Sequence, residues 1–283
     1  MRLSRIVDAA PLEEPLVVVG LDGWVNAGDA ATTALEFLAG DGPVVAEFDG
    51  DALFDFRANR PTLTFDRGVF RDISYPTLEL RRRKTAGPDL LLLTGTEPNW
   101  NWRSLAADVV EIAKTFGVSG YVSVGGIPWA APHTRPVAII TTSTDPGGFE
   151  PGEERPEGII QVPGSATSAI EHAVAEAGIP TFGFWARVPH YLGTSFRAAA
   201  LALVERLDTR FGLGLDVTDL ATLAAEQRVE IDSVAQARPE VQAMVERLEA
   251  MVDDQSPVSG EELASEIERF LRDQGGETFG GPG

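Results

Sequence analysis

Short apolar runs alternate with segments of helical spacing along the first 215 residues of the chain. The apolar runs lie at residues 15–20, 43–49, 77–83, 89–95, 119–125, 137–142 and 180–188. Apolar positions three and four apart predict helices at 28–39, 102–116, 166–177 and 195–211. Several runs are continuously apolar, as in strands that helices cover on both faces. We therefore predict an α/β fold with three layers (αβα) around a mainly parallel mixed sheet.

The pattern changes after residue 215, where the sequence offers no further strand candidate. The segments PEVQAMVERLEAMV (239–252) and GEELASEIERFL (260–271) each carry one apolar stripe of helical spacing. We predict a core domain at 1–215, a helical appendage at 216–274 in which these two helices form a hairpin, and a disordered tail at 275–283. Eleven acidic and three basic residues from Glu240 onward predict a solvated, acidic outer face of the appendage.

Composition excludes several function classes. The formal net charge of −20 repels phosphate backbones and anionic lipid, so we expect neither a nucleic-acid partner nor a membrane partner. The sequence contains no cysteine, which excludes disulfides and thiolate chemistry and agrees with a reducing compartment. The N-terminal residues lack the features of a signal peptide, so we predict a cytoplasmic protein. No local metal-ligand or nucleotide motif is present, and we predict no metal and no cofactor.

The glycine-containing stretch VVVGLDGWVNAGDAA (17–31) raises the question of a phosphate site. Gly20, Gly23 and Gly28 match neither the dinucleotide fingerprint nor the P-loop spacing. Asp22 and Asp29 would repel an anion at the start of the following helix. The stretch is therefore not predicted to bind phosphate.

A simpler interpretation makes Asn26 the cap of the helix after this loop. Asp29, three residues later, would then be the acidic half of a capping box. This interpretation leaves Asp22 and Trp24 without a structural role.

Tryptophans and polar residues follow the ends of the predicted strands. If these strands are parallel, the residues meet at the carboxyl edge of the sheet, where open α/β sheets bind ligands. The candidate binding residues are Trp24, Asn26, Asn99, Trp100, Trp129 and Tyr191. Two interpretations stay open: the residues line a cleft or a partner surface, or the tryptophans fill the ends of the layers.

The candidate catalytic residues are the imidazoles of His133 and His190 with the carboxylates of Asp22 and Glu97. Both histidines lie in proline-rich loops, which can orient a general base or can equally use the imidazole to fix the loop. No nucleophile motif accompanies them, because Ser123 in GYVSVG lies within a predicted strand instead of at a strand-to-helix turn. The sequence thus contains candidates but no coherent catalytic set.

Five stretches occur in a characteristic order: GLDGWVNAGDAA, LFDFRANRPTL, TGTEPNWNWR, GGIPWAAPHTRPV and PGSATSAIEHAVAEAGIPTFGFWARVPHY. Together, over about residues 12–215, they resemble the proteasome assembly chaperone 2 family in the branch common in high-GC Gram-positive bacteria. The resemblance implies a three-layer α/β fold akin to nucleoside phosphorylases and peptidyl hydrolases. It also implies self-association and a chaperone or scaffold role.

We therefore expect a non-enzymatic protein that forms homo-oligomers, with a trimer as one candidate stoichiometry. The expected partner besides itself is another protein, with a proteasome-related protein as one candidate. The alternative is a small-molecule hydrolase or phosphorylase-like enzyme that uses a cleft at the carboxyl edge of the sheet. This alternative requires the candidate histidines and carboxylates to converge within hydrogen-bond reach.

Overall fold

The computed structural model describes residues 2–254, and within this range the chain forms ten strands and seven α-helices. The strands are β1 (Ser4–Ile6), β2 (Leu16–Asp22), β3 (Val44–Phe48), β4 (Thr62–Asp66), β5 (Val69–Ser74), β6 (Leu78–Arg83), β7 (Leu90–Thr96), β8 (Gly120–Trp129), β9 (Ile139–Ser143) and β10 (Thr181–Pro189). The helices are α1 (Ala30–Ala39), α2 (Gly50–Leu53), α3 (Trp102–Phe116), α4 (Ala166–Glu176), α5 (Arg197–Phe211), α6 (Thr218–Gln236) and α7 (Pro239–Asp253).

Eight of the described strands form one mixed sheet in the order β1-β3-β6-β7-β2-β8-β10-β9. The neighbours β7, β2, β8 and β10 are parallel, whereas β6, β3 and β1 on one side and β9 on the other join through antiparallel pairings. The link from β6 to β7 is too short for a parallel pairing of these two strands, because a parallel neighbour needs a crossover of about a dozen residues or more. The predicted parallel order therefore holds for the centre of the sheet only.

Helices cover both faces of this sheet. Leu16 and Val18 of β2 pack with α1 and α5, and Val17 and Val19 pack with α3 and α4. Because both faces of β2 are buried, its sequence is continuously apolar. The predicted three-layer αβα fold is confirmed.

The hairpin formed by β4 and β5 was not predicted. Within residues 2–254 these strands pair only with each other, and every residue in them is exposed. Arg67 and Gly68 connect them with φ angles of 49° and 82°. Two consecutive positive φ angles are what a type I′ hairpin turn requires, and Gly68 adopts this conformation without strain.

The C-terminal helices extend the layer that contains α5. α6 packs on α5, where Leu220 joins the core, and α7 packs on α6 with Val245 and Leu248 buried. α7 confirms the helix predicted at 239–252, while the helix predicted at 260–271 and the tail at 275–283 lie outside the described residues. The division at residue 215 stays a prediction. None of the helices in residues 2–254 is both long and apolar enough to cross a bilayer.

Candidate functional site

The candidate residues lie at the ends of β2 and β8 (Asp22 and Trp129) or in the loops that follow β2, β7, β8 and β10. These four strands are parallel neighbours, so the loops leave the sheet at one edge. Backbone contacts join the loops there: the Glu97 N–H donates to the Asp22 carbonyl at 2.8 Å, and Asn26 forms a bridge with Gly126 of β8. The predicted edge therefore exists, and its loops support one another.

Glu97 uses both carboxylate oxygens to hold backbone groups. Its Oε2 accepts a hydrogen bond from the Trp24 N–H at 2.9 Å, and its Oε1 accepts one from the Ala166 N–H at 2.7 Å. Ala166 begins α4, so the carboxylate also faces the positive end of that helix. A Cβ on Gly23 would collide with the Glu97 side chain, which explains the glycine. Glu97 thus ties the loops after β2 and β7 to α4.

The Asn26 side chain caps the first turn of α1, although Asp29 occupies the N-cap position itself. Its Oδ1 accepts hydrogen bonds from the N–H groups of Ala31 and Thr32 at 3.0 and 3.2 Å. Its Nδ2 donates to Thr32 Oγ1 at 3.1 Å and to Asp22 Oδ1 at 3.3 Å. The predicted partner was wrong: Thr32 completes the cap, because Asp29 lies before the helix in the left-handed region with φ 51°.

Asn99 and Trp100 hold the segment after α2. Asn99 Oδ1 accepts hydrogen bonds from the Asp55 N–H and from Asn59 Nδ2, both at 2.9 Å. The backbone N–H groups of Asn99 and Trp100 both donate to the Leu53 carbonyl. The Trp100 side chain is exposed and is free to contact a partner.

His133 is buried between the core and α6. The His133 N–H donates to Tyr191 Oη at 2.8 Å, and its Nδ1 lies 2.6 Å from the same oxygen. Nε2 lies 3.0 Å from Asp232 Oδ1 of α6. Arg228 donates to the His133 carbonyl at 2.9 Å and to Asp232 Oδ2 at 3.0 Å. The imidazole therefore connects the loop after β8 to the C-terminal helices.

The surroundings of His133 favour its neutral form. Burial lowers the pKa of His133 from its ordinary 6.5, although Asp232 acts in the opposite direction. The neutral ring with its proton on Nε2 satisfies every contact, because the Tyr191 hydroxyl donates to Nδ1 and Nε2–H donates to Asp232. Burial also raises the pKa of Tyr191. This hydroxyl therefore keeps its proton at neutral pH.

The same loop also holds α7 through Arg135. Its guanidinium forms ion pairs with Glu249 at 3.0 Å and with Asp253 at 2.7 Å. The Asp253 contact is bidentate, because Nε also donates to that carboxylate at 2.9 Å. Both C-terminal helices thus dock on the loop after β8.

Trp129 lies next to the exposed His190. The Trp129 indole is buried under the Arg187 guanidinium, 4.3 Å from the ring centroid. The Trp129 carbonyl accepts a hydrogen bond from the His190 N–H at 3.0 Å and lies 3.1 Å from its Nδ1. The His190 and Tyr191 rings meet edge to face. Trp129 is therefore buried, and its candidacy as a binding residue stays a prediction.

The structure does not join the candidate bases to the candidate acids. In the part of the chain that is described, neither His133 nor His190 forms a hydrogen bond with Asp22 or Glu97. The carboxylate partner of His133 is Asp232, which the sequence analysis did not select. A catalytic role for these residues stays a prediction.

An apolar pocket of about 340 Å³ opens between α4 and strands β8 to β10, and we name it the α4 pocket. Trp24 and Trp185 form two of its walls. The Trp185 indole packs on Gly125 and Gly183, and a Cβ at Gly125 would lie only 2.7 Å from the ring. Its Nε1 donates to Thr142 Oγ1 at 3.0 Å. Two backbone glycines and one hydrogen bond therefore fix this wall.

Glu171 of α4 is the acidic group of the α4 pocket. Ser123 lies within β8, as predicted, and is fully buried; its Oγ donates to Glu171 Oε2 at 2.8 Å. Burial raises the pKa of Glu171, and hydrogen bonds from Ser123 and Thr181 oppose this effect. Glu171 was not among the residues predicted from the sequence, although it lies four residues after Thr167 and three before Val174, on the buried stripe of α4.

Comparisons with known proteins identify relatives. The PAC2 family model matches residues 20–235. A Mycobacterium tuberculosis protein of unknown function is 33% identical, with a TM-score of 0.86 over 95% of this chain and 96% of that chain. A PAC2 family protein of Streptomyces avermitilis is 33% identical, with a TM-score of 0.70 over 82% of this chain and 99% of that one.

A proteasome-assembly chaperone homologue of Mycobacterium tuberculosis is 27% identical, with a TM-score of 0.71 over 81% of this chain and 99% of that chain. No curated protein matches the sequence. The family match covers more than half of the chain, and the solved relatives share its fold across nearly their whole length. The chain belongs to the PAC2 family.

Proposed function

We propose that this protein is a non-enzymatic, cytoplasmic, protein-binding protein that works as a homo-oligomer in the manner of an assembly chaperone. Membership of the PAC2 family and the similarity to a proteasome-assembly chaperone homologue support the chaperone-like role. The positions of Glu97 and His133 support a non-enzymatic role, because both side chains hold segments of the fold together. The main support for self-association is the exposed apolar face of the β4–β5 hairpin.

The hairpin has one apolar face and one mainly polar face. The pairing places Leu63 opposite Ile73 and Phe65 opposite Phe70, so these four side chains share a face. Each of them is between 37% and 58% exposed. An isolated two-stranded hairpin is marginally stable in water, so we expect this apolar face to pack against another protein surface.

We propose that a second copy of the chain packs against the apolar face of the hairpin. Each copy carries a net charge of −20, so two copies repel one another, and contact through an uncharged surface adds no further local repulsion to that cost. The apolar face of the hairpin provides such a surface. Its aromatic residues are of the type enriched in protein interfaces.

Replacing Phe65 and Phe70 by threonine is expected to dissociate the oligomer at micromolar concentration. Threonine preserves strand propensity, so the change removes apolar area and leaves the hairpin able to form. Size-exclusion chromatography with light scattering gives the mass and the stoichiometry. The matched control replaces Thr64 by serine and Asp72 by threonine, a cross-strand pair on the other face, and keeps the oligomer. A wild-type monomer, or an unchanged mass in the phenylalanine variant, would contradict self-association through the hairpin.

We further propose a proteasome-related protein as the partner that the oligomer binds. The proposal is tested by mixing the purified oligomer with the proteasome subunits encoded by the same genome and recording native mass spectra. A complex of defined stoichiometry supports the assembly role. Separate elution and separate masses at all subunit ratios would refute it.

A further inference from the structure

We propose that the α4 pocket binds a small, largely apolar molecule that carries one ammonium group, with Glu171 as the counter-ion. This inference does not rest on the proposed oligomeric function, because it concerns a cavity within one chain. It assigns a ligand class to a pocket that none of the sequence candidates except Trp24 contacts.

The apolar lining of the pocket indicates that most of the ligand is apolar. Besides Trp24 and Trp185, the pocket is lined by Ile140, Ile160 and Val162. Its volume of about 340 Å³ lies at the lower end of the range for small-molecule sites, about 300–1,000 Å³. The site therefore suits a compact molecule, such as an arylalkyl or alkyl amine, that buries most of its surface.

The ammonium group follows from the hydrogen bonding of Glu171. Ser123 donates to its Oε2 at 2.8 Å, and the hydroxyl of the fully buried Thr181 also opposes the rise in the pKa of the carboxylate. Thr181 Oγ1 lies 2.8 Å from Thr144 Oγ1, so a Thr144 donor would orient the Thr181 hydrogen toward Glu171. These hydroxyls arrange Glu171 as an acceptor. A ligand that donates N⁺–H to it would offset the cost of burying its charge.

The charge distribution excludes an anionic ligand and favours a cation. No lysine or arginine is found among the described residues that line the α4 pocket, so an anion would meet Glu171 without a counter-charge. The indole faces of Trp24 and Trp185 attract cations through their π-systems. The net charge of −20 also raises the concentration of cations near the surface.

Titration calorimetry with phenethylammonium and hexylammonium at neutral pH tests the proposal. At least one amine is expected to bind saturably and more tightly than phenethyl alcohol, with no binding of phenylacetate. Glu171→Gln is expected to weaken amine binding by about tenfold to a hundredfold, because it removes the charge and keeps the shape. The affinity for phenethyl alcohol should change little.

Glu176→Gln is the matched control, because Glu176 lies on the same helix but does not line the α4 pocket, and its side chain is 70% exposed. Its amine affinity should equal that of the wild type. Circular dichroism and the thermal midpoint of each variant establish that it is folded. The proposal is overturned if neither amine binds, if the alcohol or phenylacetate binds as tightly as the amines, or if folded Glu171→Gln retains the wild-type amine affinity. A loss of hairpin-mediated assembly would leave these outcomes unchanged, so the two proposals fail separately.

Discussion

Replacing Glu97 by alanine is expected to lower the free energy of unfolding by about 2–4 kcal/mol. The change leaves the N–H groups of Trp24 and Ala166 without their acceptor. Hydrogen bonds to a charged group each contribute about 1.5–3 kcal/mol, and water recovers part of this loss at a partly buried site. The first turn of α4 also loses the carboxylate that complements its dipole.

Urea unfolding with linear extrapolation measures the effect. Glu97→Gln should fall between the wild type and the alanine variant, because the amide retains one carbonyl oxygen for one of the two donors. The control is Glu36→Ala, an exposed position on α1, which should change stability by no more than about 0.5 kcal/mol. If Glu97→Ala proved as stable as the control, Glu97 would not be a structural cross-link. Its candidacy as the carboxylate partner of a catalytic histidine would then regain support.

The parts of the fold that could be predicted are those whose burial leaves a pattern in the sequence. The run at 89–95 contains four consecutive leucines (90–93) because β7 is covered on both faces, and the structure places this strand at Leu90–Thr96. The helix predicted at 102–116 has the bounds of α3 because one face of it is buried. Among residues 2–254, nothing covers either face of β4 and β5. These two strands were therefore not predicted from a pattern of burial, although Leu63 and Phe65 alternate with polar residues.

Only one property of the candidate site could be predicted from the sequence: the edge of the sheet at which the loops after the parallel strands meet. Strand order brings the loops with Asp22 and Glu97 to one edge, and the structure shows them in contact. The pairing of His133 with Asp232 spans 99 residues and depends on how α6 docks, which no local spacing encodes. Glu171 did leave a signal, because an acidic residue on the buried stripe of a helix requires a polar partner.

Acidification is expected to destabilise the wild type through His133. The unfolded histidine has its ordinary pKa of 6.5, and burial lowers the pKa in the folded state. Between these two pKa values the unfolded chain binds a proton that the folded chain does not. Stability therefore falls as the pH falls through this window, by up to about 1.4 kcal/mol per pH unit. Protonation of Nδ1 would also deprive the Tyr191 hydroxyl of its acceptor, whereas the contact of Nε2 with Asp232 would gain an opposite charge.

His133→Gln should remove this slope, because glutamine does not titrate and its amide can replace the Nε2–H donor to Asp232. Urea unfolding of both proteins at about pH 7.5 and about pH 5.5 gives the difference, with hydrogen exchange in α6 as the local measurement. The raised pKa of Glu171 makes a contribution of opposite sign, since stability is lost as the pH rises above 4.5, but it is common to both proteins and cancels. If the free energy of unfolding changed equally with pH in the two proteins, the pKa of His133 would be the same in the folded and unfolded states. In that case burial between Tyr191 and Asp232 would not hold the imidazole neutral, and a solvent-accessible general base at this position would again deserve testing.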